Sequence, residues 1–312
     1  MSPPGRPKGE CRSAQHEGTT VSPPGRPKGE CRSAQHEGTT VAHGTLPARN
    51  ALKEKLAGGQ VAVSLIVRSA RGPEIALVAR SSGFDALYID LEHSPLSMDT
   101  ASALCIASQA VGVTPLLRVP EASAAWISRA LDGGAMGVIV PHVEDAQAAR
   151  AAVALAKYPP QGRRSVSTTL PQLAYRQLPA AQAQHLLNGE TLVVAMIESR
   201  QGLQHADQIA AVEGIDMLLV GAGDLAADLG QSGAPDTSQM RAAFDTVIAA
   251  CQRHGKIAGA GGLAGQMDLL GEVIAAGVRY VSAGTDTGFL LAGAQAKVAA
   301  IRARCPAGNG SP

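Results

Sequence analysis

Short apolar runs alternate with amphipathic helical patterns along this chain, from about residue 52 to residue 303. The apolar runs have the length of buried strands and fall at residues 61–67, 86–91, 114–118, 137–140, 192–197, 217–220, 257–260 and 280–283. The helical patterns fall at residues 98–110, 123–132, 145–157, 202–212, 238–254, 267–276 and 288–303. Eight strands alternating with helices over about 255 residues match the size of a closed (β/α)8 barrel. We therefore predict an α/β fold, a single TIM barrel at residues 46–305. An open doubly wound sheet is the main rival, but no Gly-x-Gly-x-x-Gly turn follows the first run.

The composition fits a core in which helices surround a parallel sheet. Hydrophobic residues make up 45% of the chain and aromatic residues only 3%, so Ala, Val, Leu and Ile must fill the core, as is usual in parallel sheets covered on both faces. The formal net charge is +1, which gives no electrostatic reason to expect a nucleic-acid or membrane partner. No apolar run reaches the roughly 18 residues that cross a bilayer.

The cysteines and the N-terminus favour a cytoplasmic location. None of the five cysteines, which are Cys11, Cys31, Cys105, Cys251 and Cys305, forms a Cys-x-x-Cys pair. An odd and scattered set of thiols indicates a reducing compartment without a disulfide framework. The basic N-terminus is not followed by the apolar stretch that a secretory signal requires.

A perfect repeat occupies the N-terminus. Residues 2–21 recur unchanged as residues 22–41, and the repeated segment is rich in Pro, Gly, Arg and Ser. A segment with almost no apolar content cannot bury enough surface to offset the entropy lost on ordering. We therefore expect residues 1–45 to be a disordered extension and residues 306–312 to be a disordered tail.

Two acidic residues end neighbouring strands of the predicted barrel. Active sites of such barrels lie at the carboxyl ends of the strands. Glu198 follows the fifth run and Asp224 closely follows the sixth, so both side chains can face the mouth of the barrel. Two carboxylates completed by water or substrate oxygens suit a hard cation such as Mg²⁺ or Mn²⁺. Each acid could instead cap the helix that follows it.

Three further features at strand ends could take part in chemistry. His93 follows the second run beside acidic residues and could act as a general base, or could be a satisfied polar loop residue. Arg118 ends an apolar strand, where an unpaired charge is costly. Its partner could be Asp90, Glu92 or a bound carboxylate. The glycines of the Gly221-Ala222-Gly223 turn would let backbone N–H groups approach an anion.

Taken together and in order, these motifs resemble the HpcH/HpaI aldolase family. The resemblance covers roughly residues 59–300 and rests on Asp90-Leu91-Glu92-His93-Ser94-Pro95, Leu131-Asp132-Gly133-Gly134, the YPPQGRRSV stretch at 158–166, Met196-Ile197-Glu198, Gly202-Leu203 and the segment from Val212 to Leu225. The chain departs from the family in two respects. The family often has a proline where this turn has Ala222, and the first strand lacks the aromatic residue that is common nearby in the family.

The resemblance implies an enzyme, a class II aldolase and carbon–carbon lyase. Its reaction would be the reversible aldol cleavage of a 4-hydroxy-2-oxo acid to pyruvate, or a related 2-oxo acid, and an aldehyde, through an enolate stabilised by a divalent metal. The metal would be Mg²⁺ or Mn²⁺, with Co²⁺ possible. Alternatives within the superfamily are carbon–carbon bond-forming or decarboxylating enzymes resembling macrophomate synthase or a citrate synthase. A non-catalytic barrel that binds 2-oxo acids is a further alternative.

The resemblance also assigns roles to residues. It makes Glu198 and Asp224 the metal ligands, His93 the acid/base, and Arg118 the group that binds the substrate carboxylate and steadies the enolate. The backbone at Gly223 and Asp224 would bind the carboxylate. The aspartate paired with the catalytic histidine corresponds to Asp132. Because Asp132 precedes the fourth strand, it should lie at the far end of its own barrel and serve a neighbouring subunit. The resemblance further implies a hexamer with exchanged C-terminal helices, in which residues 288–303 contact a neighbour.

Overall fold

Eight parallel strands close into a barrel in the computed structural model, which describes residues 48–167, 169–231 and 237–305. Each strand pairs with the next, and the last pairs with the first. The strands are β1 (Ala62–Val67), β2 (Ala86–Asp90), β3 (Thr114–Arg118), β4 (Gly137–Val140), β5 (Leu192–Ile197), β6 (Met217–Gly221), β7 (Ile257–Gly261) and β8 (Val278–Thr285). The predicted TIM barrel is confirmed, and every predicted strand is present.

Helices cover the outside of the barrel. They are α1 (Ala51–Ala57), α2 (Glu74–Ser81), α3 (Met98–Ala110), α4 (Ala124–Asp132), α5 (Ala146–Ala156), α6 (Ala180–Glu190), α7 (Arg200–Gln204), α8 (Ala206–Ala210), α9 (Ala222–Asp228), α10 (Thr237–His254), α11 (Met267–Ala276) and α12 (Asp286–Arg302). The predicted helical patterns correspond to α3, α4, α5, α10, α11 and α12, while the pattern at 202–212 is divided between α7 and α8. Helix α9 is the helix expected to begin near Asp224, and helices α1, α2 and α6 were not predicted.

The strands present side chains alternately to two separate apolar clusters. In β2, for example, Tyr88 points into the barrel, whereas Leu87 and Ile89 pack against the surrounding helices. This alternation follows from the two-residue period of a strand. It explains why the strands read as continuous apolar runs, since both faces are buried.

Helix α1 closes one end of the barrel. Leu52 and Leu56 of α1 join the inner cluster with Tyr88 and other inward-facing strand residues. The helix is fixed by Asn50, which accepts a hydrogen bond from the N–H of Lys53 and donates to the carbonyl of Met136 at 3.1 Å. Since α1 precedes β1, it covers the amino ends of the strands. The carboxyl ends are left to form the open mouth.

Two of the predicted segments lie wholly outside the described residues, namely the repeat-containing extension at 1–45 and the tail at 306–312. Their expected disorder and the domain boundaries stay predictions. In the described part of the chain, no helix is long and apolar enough to cross a membrane. Cys105 and Cys251 are free and buried there, as expected. The cytoplasmic location stays a prediction.

Candidate active site

A cavity of about 650 Å³ opens at the carboxyl ends of the strands. It is lined by charged residues from five different strand ends, which are Arg68 after β1, His93 after β2, Arg118 in β3, Glu198 after β5 and Asp224 after β6. Gly223 also lines it. The barrel therefore brings together the predicted acid/base, the predicted carboxylate-binding arginine and both predicted metal ligands.

Glu198 is a buried carboxylate. Its side chain is only 2% exposed, and Oε2 accepts a hydrogen bond from the backbone N–H of His142 at 3.1 Å. Burial raises the pKa of Glu198, and this effect is only partly offset by the His142 N–H, the His142 ring and Arg118. A buried carboxylate with a raised pKa is ionised at low cost only where a positive charge approaches it. The surroundings of Glu198 therefore fit a cation bound from the cavity side.

Asp224 supplies a second carboxylate to the same cavity. It lies in the first turn of α9, directly after β6, and it is exposed. Because β5 and β6 are paired neighbours, Glu198 and Asp224 follow adjacent strand ends. No group of three or more His, Cys, Asp or Glu residues in the described ranges could hold a metal ion. A cation here would have two carboxylate ligands and would take its other ligands from water or substrate, an arrangement typical of Mg²⁺ and Mn²⁺.

Arg118 is held by two acids and still faces the cavity. Its Nε and Nη2 donate to the two carboxylate oxygens of Asp90 at 2.9 and 2.6 Å, and Nη1 lies 2.8 Å from Oε2 of Glu92. The guanidinium also lies 5.5 Å from the centre of the Tyr88 ring. Burial alone would lower the pKa of Arg118, but the hydrogen bonds to Asp90 and the nearby charges raise it above its usual value. Among the partners that the sequence left open, both Asp90 and Glu92 are thus engaged.

Asp90 joins two arginines at the edge of the cavity. Besides the paired bonds from Arg118, its Oδ2 accepts a bond from Nε of Arg68 at 2.7 Å. Its Oδ1 accepts the backbone N–H groups of Glu92 and His93 at 3.1 and 3.2 Å. Burial raises the pKa of Asp90, but the arginines and the His93 N–H more than compensate and the pKa is lowered. Asp90 is therefore an anion that fixes the loop carrying His93.

His93 itself reaches into the open cavity. Its side chain is 47% exposed, and Nε2 lies 3.9 Å from Oε2 of Glu92, which is too long for a hydrogen bond. Its ring thus faces the solvent-filled cavity and has no fixed side-chain partner among the described residues. A histidine in that position can exchange protons with a bound ligand.

The sequence matches the HpcH/HpaI aldolase/citrate lyase family model over residues 65–292. The chain belongs to this family. It is 40% identical over 264 residues to a 4-hydroxy-4-methyl-2-oxoglutarate aldolase of Hapsidospora irregularis, which covers 82% of this chain and 98% of that protein. It is 32% identical over 257 residues to a 4-hydroxy-2-oxo-heptane-1,7-dioate aldolase of Salmonella typhimurium, covering 80% and 94%.

A solved structure of the family has the same fold. The HpcH/HpaI aldolase of Desulfitobacterium hafniense superposes with a TM-score of 0.76 at 28% identity and covers 83% of this chain and 98% of that one. The predictions of family membership and of an enzyme with carbon–carbon lyase activity are confirmed.

Asp132 lies apart from the other family residues. It is the last residue of α4, before β4, and it does not line the cavity. Its half-exposed carboxylate accepts a hydrogen bond from Nη2 of Arg164 at 2.6 Å. Arg164 is buried and stacks on Tyr158, with 4.6 Å from its Cζ to the ring centre. Within one chain, Asp132 therefore cannot pair with His93.

Two residues at the site were given no role from the sequence. His142, after β4, has a left-handed backbone with φ of 53°. Its Nε2 lies 3.1 Å from Oε1 of Glu92, and its Nδ1 lies 3.5 Å from Oε2 of Glu198. The other residue is Arg68. Arg68 directly follows β1 and His142 lies two residues after β4, so position was the available signal, but the role of each depends on acids that are distant in the sequence.

Proposed function

We propose that this chain catalyses the divalent-metal-dependent, reversible aldol cleavage of a 4-hydroxy-2-oxo acid to pyruvate, or a related 2-oxo acid, and a carbonyl product. The observation that supports this proposal is the convergence of Glu198, Asp224, Arg118 and His93 on one cavity. The relatives described above are named for two 4-hydroxy-2-oxo acids, 4-hydroxy-4-methyl-2-oxoglutarate and 4-hydroxy-2-oxo-heptane-1,7-dioate.

Glu198 and Asp224 would hold the cation, which is Mg²⁺ or Mn²⁺ in this proposal, with Co²⁺ as a substitute. The chemistry that such a cation supplies is Lewis-acid stabilisation of the negative charge that develops on a 2-oxo acid. The protein prepares the position by keeping Glu198 buried and oriented through the N–H of His142. Asp224, which is exposed, completes the pair from the adjacent strand end.

Arg118 binds the substrate carboxylate and the enolate oxygen in this proposal. Its orientation is fixed in advance, because Asp90 and Glu92 both engage the guanidinium. A donor that is already oriented stabilises developing negative charge without reorganisation during the reaction. The backbone at Gly223 and Asp224, at the start of α9, would hold the same carboxylate.

His93 moves the proton. It accepts the proton of the 4-hydroxyl as the C3–C4 bond breaks, so that C4 becomes a carbonyl carbon and the electron pair remains on C3 as an enolate. In the reverse direction the enolate attacks the carbonyl carbon, and His93 returns the proton to the new hydroxyl. In the described part of the chain no lysine lines the cavity, which disfavours a Schiff-base route.

A neighbouring subunit supplies Asp132 to pair with His93 in this proposal. The exposure of α12 supports an assembly, because none of its 17 residues is buried. Five large apolar side chains of this helix are exposed, namely Phe289, Leu290, Leu291, Val298 and Ile301. Exposed apolar side chains on one long helix indicate a protein contact. We propose a hexamer in which α12 packs on another subunit.

The proposal is tested by measuring pyruvate release from a panel of 4-hydroxy-2-oxo acids before and after treatment with EDTA. We expect release that EDTA abolishes and that added Mg²⁺ or Mn²⁺ restores. Condensation or decarboxylation without any aldol cleavage would support the bond-forming alternative instead. Mixing the inactive variants Asp132→Asn and His93→Ala tests the shared site, since mixed hexamers should regain activity only if Asp132 acts on a neighbour.

A further inference from the structure

We propose that Arg68 is a specificity-determining residue, which binds the carboxylate at the far end of a 4-hydroxy-2-oxo dicarboxylate. The acceptor formed on cleavage would then carry a carboxylate of its own. This inference rests on the proposed aldol cleavage and assigns to Arg68 the recognition of the far end of the substrate.

The unused donors of Arg68 are the first support. A guanidinium has five N–H donors. In Arg118, all three side-chain nitrogens already lie against Asp90 or Glu92. In Arg68 only Nε is engaged, by Asp90, and Nη1 and Nη2 have no hydrogen-bond acceptor or acidic partner among the residues that the structure describes. Arg68 therefore keeps the forked pair of donors that binds a carboxylate through both oxygens.

The position of Arg68 is the second support. It follows β1, and β1 lies four strands from β5, on the opposite side of an eight-stranded barrel from Glu198. If the head of a 2-oxo acid is held at Glu198 and Asp224, a substrate that extends across the mouth of the barrel brings its far end toward β1. Glu198 and Arg68 line the same cavity, and the residues that line it from the ends of β7 and β8 carry no charge.

The charges around the cavity are the third support. Arg68 and Arg118 are balanced by Asp90 and Glu92, and a divalent cation would balance Glu198 and Asp224. The first carboxylate of a substrate has Arg118 and the cation as partners. A second carboxylate would need another cationic donor, and among the described lining residues Arg68 is the arginine that remains.

The backbone at Arg68 is held in place, as a residue that selects a substrate requires. Its backbone N–H donates to Oδ1 of Asp286 at 3.2 Å, and the next two N–H groups, those of Ser69 and Ala70, donate to Oδ2 at 2.9 and 2.7 Å. Asp286 is the first residue of α12. The start of that helix thus holds the loop that carries Arg68, while Asp90 fixes the direction of its side chain.

The test compares two substrates that differ only at the far end. Cleavage of 4-hydroxy-2-oxoglutarate is measured beside that of 4-hydroxy-2-oxopentanoate, which has a methyl group in place of the second carboxylate. We expect the wild type to favour the dicarboxylate in kcat/KM. Arg68→Gln should lower the ratio of the two kcat/KM values by about 10- to 100-fold, the range expected for a charged hydrogen-bonded pair. Arg68→Lys should restore part of the ratio, because it keeps the charge but not the fork.

Two controls separate this proposal from its alternatives. Arg71→Gln removes an exposed arginine of the same loop that does not line the cavity, and it should leave the ratio of the two kcat/KM values unchanged.

The second control is the exchange of the C3 protons of pyruvate with D2O, which depends only on the part of the site that binds the 2-oxo acid head. If Arg68→Gln lowers exchange and both cleavage reactions equally, Arg68 only positions Asp90 and Arg118, and the specificity role is wrong. A wild type that cleaves both substrates equally well would also overturn it. A wild type that neither exchanges nor cleaves would instead overturn the proposed function.

Discussion

Gly221 leaves the space that the Glu198 side chain occupies. A Cβ at Gly221 would lie 2.7 Å from Oε1 of Glu198 and 2.8 Å from its Cγ. These distances are shorter than van der Waals contact, so the Glu198 side chain would have to move. The backbone of Gly221 has a φ of −90°, which any residue can adopt. Glycine is required here for room and not for conformation. This reason differs from the sequence-based expectation that Gly221 lets a ligand approach the backbone.

Replacing Gly221 should therefore damage the metal site more than the fold. Gly221→Ala would push the Glu198 carboxylate from its position, and we expect the affinity for Mn²⁺, measured by titration calorimetry, to fall by on the order of tenfold or more. Such a loss corresponds to at least about 1.4 kcal/mol of binding free energy. Gly271→Ala is the matched control, because a Cβ there meets nothing within 4 Å. That variant should bind Mn²⁺ normally and gain up to about 1 kcal/mol of stability from better helix propensity. Equal Mn²⁺ affinity in all three proteins would contradict the steric argument.

Glu198→Gln should separate activity from stability. The substitution removes the charge of a carboxyl group whose pKa is raised by burial. The glutamine keeps a similar shape and an oxygen that can accept the hydrogen bond from the His142 N–H. We expect cleavage activity to be lost and the melting temperature in EDTA to stay the same or rise, because the cost of a buried charge disappears. Asp224→Asn is the comparison. Asp224 is exposed, so activity should be lost there with little change in melting temperature. Full activity in either variant after metal replacement would refute the ligand assignment.

Lys157 should make stability depend on pH in the alkaline range. The side chain is buried and donates to the backbone carbonyls of Asn188 and Thr191. Burial lowers its pKa from the usual 10.5 to about 8. Between those values the unfolded chain binds more protons than the folded chain, so the free energy of unfolding rises with pH across that window. Each unit of pKa difference corresponds to about 1.4 kcal/mol.

Urea denaturation at several pH values from 7.5 to 10.5 measures this effect against Lys157→Met. The variant should be less stable overall, since it leaves two buried carbonyls without a donor. The stability difference should grow as the pH rises, because only the wild type gains from losing the Lys157 proton. A difference that stays constant with pH would show that Lys157 titrates normally in the folded protein.

The barrel could be predicted from the sequence, but the network around the site could only be predicted in part. Strand order and strand ends follow from apolar runs and their spacing, and these place Arg118 and Glu198 at the mouth. The far position of Asp132 also follows, since it precedes β4. In contrast, Arg68 and His142 have roles set by acids tens of residues away in the sequence. Nothing local indicates that Asp90 is shared by two arginines or that the backbone of His142 is left-handed.

Two reactions should separate the role of His93 from that of Arg118. Aldol cleavage requires removal of the 4-hydroxyl proton, whereas oxaloacetate decarboxylation yields the same enolate by loss of CO2 and needs no such base. His93→Ala should therefore slow cleavage by on the order of 10²- to 10⁴-fold and affect decarboxylation much less. Arg118→Ala should impair both reactions together, because the carboxylate and the enolate are common to both. It should also lower the melting temperature, since it leaves Asp90 and Glu92 without their shared partner.

Arg118→Lys distinguishes the catalytic loss from this loss of stability. A lysine keeps a positive charge beside Asp90 and Glu92, so most of the melting temperature should return, but it lacks the planar fork and should stay slow in both reactions. Mn²⁺ affinity is measured in every variant, because a displaced metal would slow both reactions without any change in proton transfer. If His93→Ala binds Mn²⁺ normally and loses both activities to the same extent, His93 is not the base for the 4-hydroxyl. His93 would then act on the enolate that both reactions share, and the proton acceptor would have to be sought among the other groups at the mouth of the barrel.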